Sequence, residues 1–227
     1  MKKSLYQNIS LFFISMISLL ISPIVEAHIN TTYKYEARQP NNLLIETLRF
    51  THTNNGKFAI DLGAGAGNEV HKLLQESYSV LAIDASNEAT TMLNQRFASS
   101  VQKKQLEISN IKLEDIHSLP NANIILAINS IPFMDKKLFP KLWDQINHSL
   151  PKGGIFLGTF FGTKHHLKRG DTSPIIFRVH DKQIKKLLKN FEIVYFVEEI
   201  KKNLQATHSW KSNQYEHRFY VIAIKKN

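Results

Sequence analysis

The chain has 227 residues, no cysteine and a formal net charge of +10 at pH 7. This length provides for one α/β domain with a sizeable core, and the lack of thiols excludes disulfide bonds. The lysines are scattered in pairs without interleaved aromatic residues, so the positive charge predicts a solvated surface and no specific nucleic-acid site.

The N-terminus has the pattern of a secretory signal peptide. Two lysines precede an apolar stretch at residues 9–21, and Ala27 lies where a small-x-small cleavage site is expected. The apolar stretch is shorter than the roughly 20 residues of a membrane-spanning helix. We therefore expect a signal peptide over residues 1–27 and one domain over residues 28–227, in a protein exported to the periplasm or secreted. The alternative is an uncleaved anchor in the inner membrane, the only case in which we expect membrane contact.

A short helix is predicted before the first strand. Arg38 and Pro40 lead into Asn41 and Asn42, which are typical helix N-caps, and leucines follow at helical spacing. A strand, a glycine-rich turn and a second helix are predicted next, over residues 58–75. The following apolar run ends in an acid, so the whole is a βαβ unit with a ligand-binding loop at its first turn.

The glycine-rich turn indicates which ligand it binds. Its glycines lack a Cβ, so a ligand can approach the backbone closely at the helix N-terminus. A dinucleotide site would need G-x-G-x-x-G, and this chain has Asn68 in place of the last glycine. Asp61 would repel a pyrophosphate but can accept a hydrogen bond from a ligand's ammonium group. The predicted ligand-binding residues of this turn are Asp61, Gly63, Ala64, Gly65, Gly67 and Asn68.

A second acid completes the predicted ligand site. Asp84 ends the second strand and is placed to accept hydrogen bonds from both hydroxyls of a ribose, while Ala85 and Ser86 continue the same ligand-binding edge. An ammonium-bearing ligand with a ribose suggests S-adenosylmethionine. We therefore predict S-adenosylmethionine as the cofactor.

Later apolar runs predict the rest of the sheet. Ligands of parallel sheets collect beyond the carboxyl ends of the strands, so Asn129, which follows the fourth strand, is predicted to line the pocket with Ser130 and Phe133. A polar connection is predicted over residues 198–218, between the last two strands. The predicted later strands are residues 106–108, 124–128, 155–161, 193–197 and 219–224.

The motif D-L-G-A-G-A-G followed by A-I-D resembles the first two motifs of the class I S-adenosylmethionine-dependent methyltransferases. The resemblance covers the chain from Tyr35 onward and is nearest the tellurite-resistance and thiopurine-type branch, with an R-x-P segment at residues 38–40 and F-F-G at residues 160–162. It implies a Rossmann-like α/β fold: a seven-stranded, mostly parallel sheet with an antiparallel last strand and helices on both faces.

The resemblance also implies roles for individual residues. Arg38 would bind the cofactor's carboxylate. An acid shortly before a Leu-Pro pair would hold adenine, which makes Asp115 the ligand of the exocyclic amine and Ile116 the cover of the ring, with Glu114 as the alternative acid.

The implied function is methyl transfer to a small-molecule acceptor by an enzyme that we expect to be a monomer. A thiol or chalcogen acceptor needs little base assistance, whereas for an oxygen nucleophile His165 and His166 are the candidate bases. No second pair of ligands accompanies these histidines, so no metal site is predicted.

Two functions from other classes remain as alternatives. One is a non-catalytic S-adenosylmethionine-binding protein, and the other is a nucleotide-dependent oxidoreductase, which Asp61 and Asn68 disfavour. Export adds a further condition, because the cofactor is made in the cytosol. Either the destination, such as a host cell, contains the cofactor, or the segment is not processed, or the fold serves another purpose.

Overall fold

The computed structural model describes residues 39–51, 57–166, 177–202 and 215–226. The chain separates into two units, Met1–Gln39 and Pro40–Asn227. The predicted signal peptide and the predicted cofactor ligand Arg38 lie outside the described residues. Among the helices that the structure describes, none is both long and apolar enough to cross a membrane.

One sheet organises the described part of the chain. Its strands are β1 (Phe58–Leu62), β2 (Ser79–Ile83), β3 (Leu106–Ser109), β4 (Ile124–Ala127), β5 (Ile155–Gly162), β6 (Arg178–Val179), β7 (Phe191–Lys202) and β8 (Tyr215–Lys225). Their spatial order is β3-β2-β1-β4-β5-β8-β7, and β6 pairs with β5. The first five strands are parallel, whereas β8 is antiparallel to β5 and β7. This confirms the predicted Rossmann-like sheet and adds the two-residue β6 to the seven strands expected.

Helices connect the strands. They are α1 (Asn42–Leu48), α2 (Asn68–Gln75), α3 (Asn87–Arg96), α4 (Ala98–Gln102), α5 (Phe139–Ser149) and α6 (Asp181–Leu187), with 3-10 turns at Leu113–Asp115 and Ile131–Phe133. Two helix starts follow directly from the sequence. The Asn41 side chain accepts a hydrogen bond from Leu43 N at 2.9 Å, and Ser86 Oγ accepts one from Ala89 N at 3.2 Å, which are typical N-cap contacts.

Two hydrophobic layers cover the two faces of the sheet. Alternation along β1 sends Ile60 and Leu62 into one layer and Ala59 into the other. The first layer holds the apolar sides of α5 and α6, and the second holds those of α1, α2 and α3. Asp61 lies between Ile60 and Leu62 in β1, so its carboxylate is buried on the side of the sheet that α1, α2 and α3 cover.

The last two long strands extend further than the sequence predicts. The predicted polar connection over residues 198–218 is wrong at both ends, because pairing of β7 with β8 continues to Lys202 opposite Tyr215. Ladder hydrogen bonds satisfy the backbone here, and cross-strand pairs such as Glu198 with His217, 2.8 Å apart, satisfy the polar side chains. Polar composition alone therefore does not end these strands.

Candidate functional site

A cavity of about 260 Å³ lies at the carboxyl ends of the parallel strands. Segments that follow four neighbouring strands form its wall, because parallel strands end at the same edge of a sheet. The lining residues are Gly63, Asp84, Ala85, Leu113, Glu114, Asn129, Ser130, Phe133 and Met134. Five of these are predicted cofactor residues: Gly63, Asp84, Ala85, Glu114 and Asn129.

Two glycines shape the loop after β1. Gly63 has a φ of +82°, and a Cβ there would overlap the Cβ of Ser130. A side chain at Gly63 would therefore push the loops after β1 and β4 apart. Gly65 has a φ of +52°, but nothing lies within 4 Å of the position that its Cβ would take. This open space allows a ligand to lie directly against the backbone.

The carboxylate of Asp84 is held by backbone N–H groups from both sides. Its Oδ2 accepts a hydrogen bond from Gly65 N at 2.8 Å, and its Oδ1 accepts one from Ser86 N at 2.8 Å. The N–H groups of Gly63 and Ala64 donate to the last carbonyl of β2 at 2.8 and 3.0 Å, which fixes the loop against that strand. Each carboxylate oxygen keeps acceptor capacity for a ligand hydroxyl.

Asn68 and Gly67, two further predicted ligand residues, hold the loop against α3. Asn68 is buried and its Oδ1 accepts a hydrogen bond from Arg96 Nη1 at 3.1 Å, while the same nitrogen donates to Ala66 O at 2.9 Å. Gly67 is the N-cap residue of α2, and a Cβ there would overlap Leu93 of α3. Neither residue lines the cavity, so both position the loop against α3.

Asp61, in β1 just before the glycine-rich turn, has a carboxylate oxygen that no described group donates to. The residue is 2% exposed, and its Oδ2 is buried with no hydrogen-bond partner among the described residues. Burial raises the pKa of this carboxyl well above its ordinary value, and the carboxylates of Glu69 and Asp84 raise it further. Buried acceptors are normally hydrogen-bonded, so the arrangement fits a ligand that brings its own donor, such as an ammonium group.

The acid that reaches the cavity after β3 is Glu114. Leu113 and Glu114 line the cavity, and Glu114 Oε1 accepts a hydrogen bond from Asp135 N at 3.0 Å. Asp115 is exposed, and Ile116 is buried in the core layer with α5 and α6. Neither lines the cavity, because the 3-10 turn directs its first two residues toward it. The geometry therefore favours the alternative acid of the sequence prediction over Asp115 and Ile116.

Asn129 is held in a left-handed backbone conformation at the end of β4, with a φ of +53°. Its N–H donates to Thr159 Oγ1 at 2.6 Å, and the Thr159 hydroxyl donates to Asn129 Oδ1 at 3.2 Å. Ser130 Oγ, beside it, is buried without a hydrogen-bond partner among the described residues. Sequence reasoning missed Thr159, although it is the one hydroxyl in the apolar β5 sequence I-F-L-G-T-F-F-G.

An aromatic wall continues from the cavity to the end of β5. Phe133, which lines the cavity, contacts Phe161 edge to face with ring centroids 5.5 Å apart. His165 stacks on Phe161 with centroids 3.6 Å apart, and burial lowers the pKa of His165 to about 4. Its Nδ1 lies 3.2 Å from both the N and the O of His217. His165 is therefore a neutral packing residue behind Phe161.

The structure brings neither predicted base to the cavity. His165 is buried and His166 is exposed, with its Nδ1 accepting a hydrogen bond from Tyr215 N at 3.2 Å. His217, which sequence reasoning missed as a site residue, anchors this turn: its Nδ1 accepts from Lys164 N at 3.2 Å, so its Nε2 donates to Glu198. Within the part of the chain that the structure describes, no cluster of three or more potential metal ligands occurs.

The comparisons with known proteins identify the family. The family model of the tellurite resistance protein TehB matches residues 30–222. TehB from Haemophilus influenzae superposes with a TM-score of 0.68 at 16% identity, covering 86% of this chain and 65% of that chain. This chain therefore spans less than two thirds of the length of that relative. No similar sequence was found among curated proteins.

Two further similar structures are methyltransferases with bound ligands. The 1,6-didemethyltoxoflavin-N1-methyltransferase of Burkholderia thailandensis, solved with 1,6-didemethyltoxoflavin and S-adenosylhomocysteine, has a TM-score of 0.61 at 14% identity, covering 94% of this chain and 90% of that chain. Magnesium protoporphyrin IX methyltransferase of Synechocystis PCC 6803, solved with S-adenosylmethionine, has a TM-score of 0.55 at 12% identity, with 81% and 74% covered. At these identities the structures show the fold. The match over most of its length shows that the chain belongs to the TehB family, and it has the class I methyltransferase fold that the sequence motifs predicted.

Proposed function

We propose that this protein transfers a methyl group from S-adenosylmethionine to a small-molecule acceptor. The observation that carries the proposal is the Asp84 carboxylate, fixed by Gly65 N and Ser86 N at the mouth of the cavity with acceptor capacity left for two hydroxyls. Membership of the TehB family supports the same function. So do the methyltransferases with bound S-adenosylmethionine or its demethylated product among the similar structures.

The residues around the cavity fit the parts of this cofactor. Asp61 does not line the cavity, but its Oδ2 has no hydrogen-bond partner among the described residues and would accept from the ammonium group. Asp84 would accept from the ribose hydroxyls, and Glu114 would accept from the exocyclic amine of adenine while Leu113 covers the ring. When bound, the cofactor supplies a methyl group on a positively charged sulfur. The protein's task is then to hold the acceptor in line with that methyl group and to exclude water.

The cavity favours an acceptor that needs no general base. Its described lining includes no histidine, lysine or tyrosine, and its two acids, Asp84 and Glu114, are the ones proposed to bind the cofactor. Beyond Asn129 the wall consists of Ser130 and two apolar residues, Phe133 and Met134. A thiol or chalcogen nucleophile, which is soft and reacts without deprotonation by the enzyme, suits such a lining. The name of the family, tellurite resistance protein, makes reduced tellurium and selenium compounds the first acceptors to test.

The N-terminal pattern supports export as part of this proposal. Two lysines, an apolar stretch and Ala27 form the pattern. Mass spectrometry of the mature protein is the test, and a chain that starts at His28 is the expected result. A mature chain that starts at Met1 would contradict cleavage.

Transfer of a labelled methyl group tests the proposed activity. The full chain is incubated with methyl-labelled S-adenosylmethionine and a panel of thiols and reduced chalcogen compounds, and methylated product and S-adenosylhomocysteine are quantified. We expect equal amounts of both from the wild type, and at micromolar cofactor about a hundredfold less of both from Asp84→Ala. Asp115→Ala, a matched loss of one carboxylate outside the cavity, should have wild-type rates. Binding of the cofactor with no transfer to any acceptor would instead indicate a non-catalytic binding protein.

A further inference from the structure

The two edges of the sheet differ in a way that bears on oligomeric state. β3, at one edge, has four residues, whereas β7, at the other, has twelve and pairs only with β8 among the described strands. A long edge strand presents a row of unpaired N–H and C=O groups that can pair with another chain. Proteins usually protect such an edge by keeping it short, as β3 is.

Apolar exposure is concentrated on this edge strand. Of the seven large hydrophobic residues that are exposed in the described part of the chain, four belong to β7: Ile193, Tyr195, Val197 and Ile200. Their exposed fractions are 37% to 43%. The register irregularity in β7 falls between Ile193 and Tyr195, so the strand is regular from Phe196 to Lys202. An exposed, regular and partly apolar edge is typical of an association surface.

The charged residues at the end of β7 are arranged so that they can pair with those of a second, antiparallel copy. Residues 198–202 read E-E-I-K-K, so a second antiparallel copy centred on Ile200 places Glu198 opposite Lys202 and Glu199 opposite Lys201. A two-fold axis through Ile200 repeats both pairs. Because side chains alternate along a strand, each face of the extended sheet receives one type of pair. Every charged position of the segment thus meets the opposite charge in its own antiparallel copy.

The charged side chains are available for this pairing. The side chains of Glu198 and Lys201 are 48% and 66% exposed, and that of Glu199 is 35% exposed. Within the chain, Glu198 contacts His217 at 2.8 Å, and Glu199 contacts Lys201 at 2.9 Å and Tyr220 at 3.3 Å. Each carboxylate has further lone pairs, so these contacts leave room for a partner's ammonium group.

We infer that this protein forms a two-fold symmetric dimer in which β7 pairs antiparallel with β7 of a second copy, centred on Ile200. The sheets of the two copies become one continuous sheet through the paired residues 198–202. Of the four exposed apolar residues of β7, Ile200 lies within the paired segment, and the other three lie beyond it. This inference differs from the monomer expected from the sequence, because the sequence alone did not show that β7 is a long edge strand. The inference is independent of the proposed methyl transfer.

Charge reversal and rescue test the inference. Sedimentation equilibrium of the full chain over about 1 to 100 µM is expected to show a monomer–dimer equilibrium. The double variant Lys201→Glu/Lys202→Glu places only acids on the edge and should raise the dissociation constant about tenfold or more. Glu198→Lys/Glu199→Lys places only lysines there and should do the same. An equimolar mixture of the two variants restores opposite charges at every position and should form the heterodimer.

A matched charge change at the opposite edge of the sheet is the control. Lys103→Glu/Lys104→Glu makes the same change in net charge near β3 and should leave the dimer intact. Circular dichroism of each variant checks that it is folded, which matters most for Glu198→Lys because it loses the contact with His217. A monomer at all concentrations would overturn the inference, as would a dimer that both edge variants retain or a mixture that fails to associate.

Discussion

The two sides of the cavity are built in different ways. On the cofactor side, the loops after β1 and β2 are joined by contacts of backbone N–H groups, such as Gly65 N with Asp84 Oδ2, between residues 19 positions apart. On the acceptor side, beyond β4 and β5, side-chain rings and imidazoles make the contacts. There the partners are far apart in sequence, as with Lys164 and His217, 53 positions apart.

The difference implies a division of labour. Under the proposed function, cofactor binding depends on a local unit that folds its own ligand loop, so changes elsewhere should affect it little. The acceptor side depends on the packing of β5 against the extended β8, so it can change with substitutions distant from the cavity. Substitutions on each side can therefore show whether the two sides are independent.

The largest expected effect is on stability, and it differs between two glycines of the same loop. Gly63→Ala should lower the free energy of unfolding by about 3 kcal/mol or more, because the new Cβ overlaps Ser130 and the backbone is left-handed. Gly65→Ala should cost only about 1 kcal/mol of stability, because its Cβ enters open space. That methyl group occupies room for the cofactor, so affinity for S-adenosylmethionine should fall about tenfold or more.

Urea denaturation and cofactor titration of both glycine variants provide the measurement. A Gly63→Ala protein as stable as the wild type would contradict the close approach of the loops after β1 and β4. Unchanged affinity for S-adenosylmethionine in Gly65→Ala would show that the cofactor does not occupy the open space beside Gly65.

A substitution on the acceptor side should leave cofactor binding intact. His217→Ala removes contacts with Glu198 and Lys164 N and leaves a cavity, so it should lower the free energy of unfolding by about 2 to 3 kcal/mol. Affinity for S-adenosylmethionine, measured by titration of the folded variant, should stay within about twofold of the wild type. The milder change Glu198→Gln serves as control, and a tenfold loss of cofactor affinity in His217→Ala would show that the two sides are coupled.

Asp61→Asn should stabilise the free protein while it weakens cofactor binding. The folded-state pKa of Asp61 is raised by burial and by Glu69 and Asp84, so the folded state holds a proton that the unfolded state releases. Stability therefore falls as pH rises from the ordinary carboxyl pKa through the raised one. The neutral amide avoids this loss, and we expect a gain of roughly 1 kcal/mol at pH 7.

Urea denaturation from pH 4 to pH 8 measures this effect, because Asp61→Asn should show a flatter pH dependence than the wild type. Binding of a ligand ammonium group favours the ionised carboxylate, so cofactor affinity of the wild type should fall as pH is lowered through the raised pKa. Proton release on binding, seen as a dependence of the titration heat on buffer, is the direct check. Equal cofactor affinity in the wild type and Asp61→Asn would show that the Asp61 carboxylate does not bind the cofactor.

The smallest expected effect distinguishes two neighbouring acids. Glu114→Gln should lower affinity for S-adenosylmethionine about fivefold, because a charged acceptor at the cavity wall becomes neutral. Asp115→Asn, an equivalent change on an exposed residue, should have no measurable effect. The reverse order in a titration would restore the sequence-based assignment of Asp115.

These acids illustrate how far the sequence predicts the site. The unit from β1 to β2 was predictable because glycine positions, strand periodicity and two acids lie within a short segment whose geometry is local. The choice between Glu114 and Asp115 was not, since the spacing to Leu-Pro does not fix the direction of a 3-10 turn. His165 looked like a polar loop residue because its burial depends on His217, which the sheet brings alongside from 52 positions away.

Titration calorimetry of S-adenosylmethionine and S-adenosylhomocysteine into the full chain tests the central claim most directly. The wild type should bind both ligands with micromolar dissociation constants. Asp84→Ala should lower the affinity by about a hundredfold, because it removes the acceptor for the ribose and the contacts with Gly65 N and Ser86 N. No binding by the folded wild type, or equal binding by Asp84→Ala, would contradict the assignment of this cavity to the cofactor.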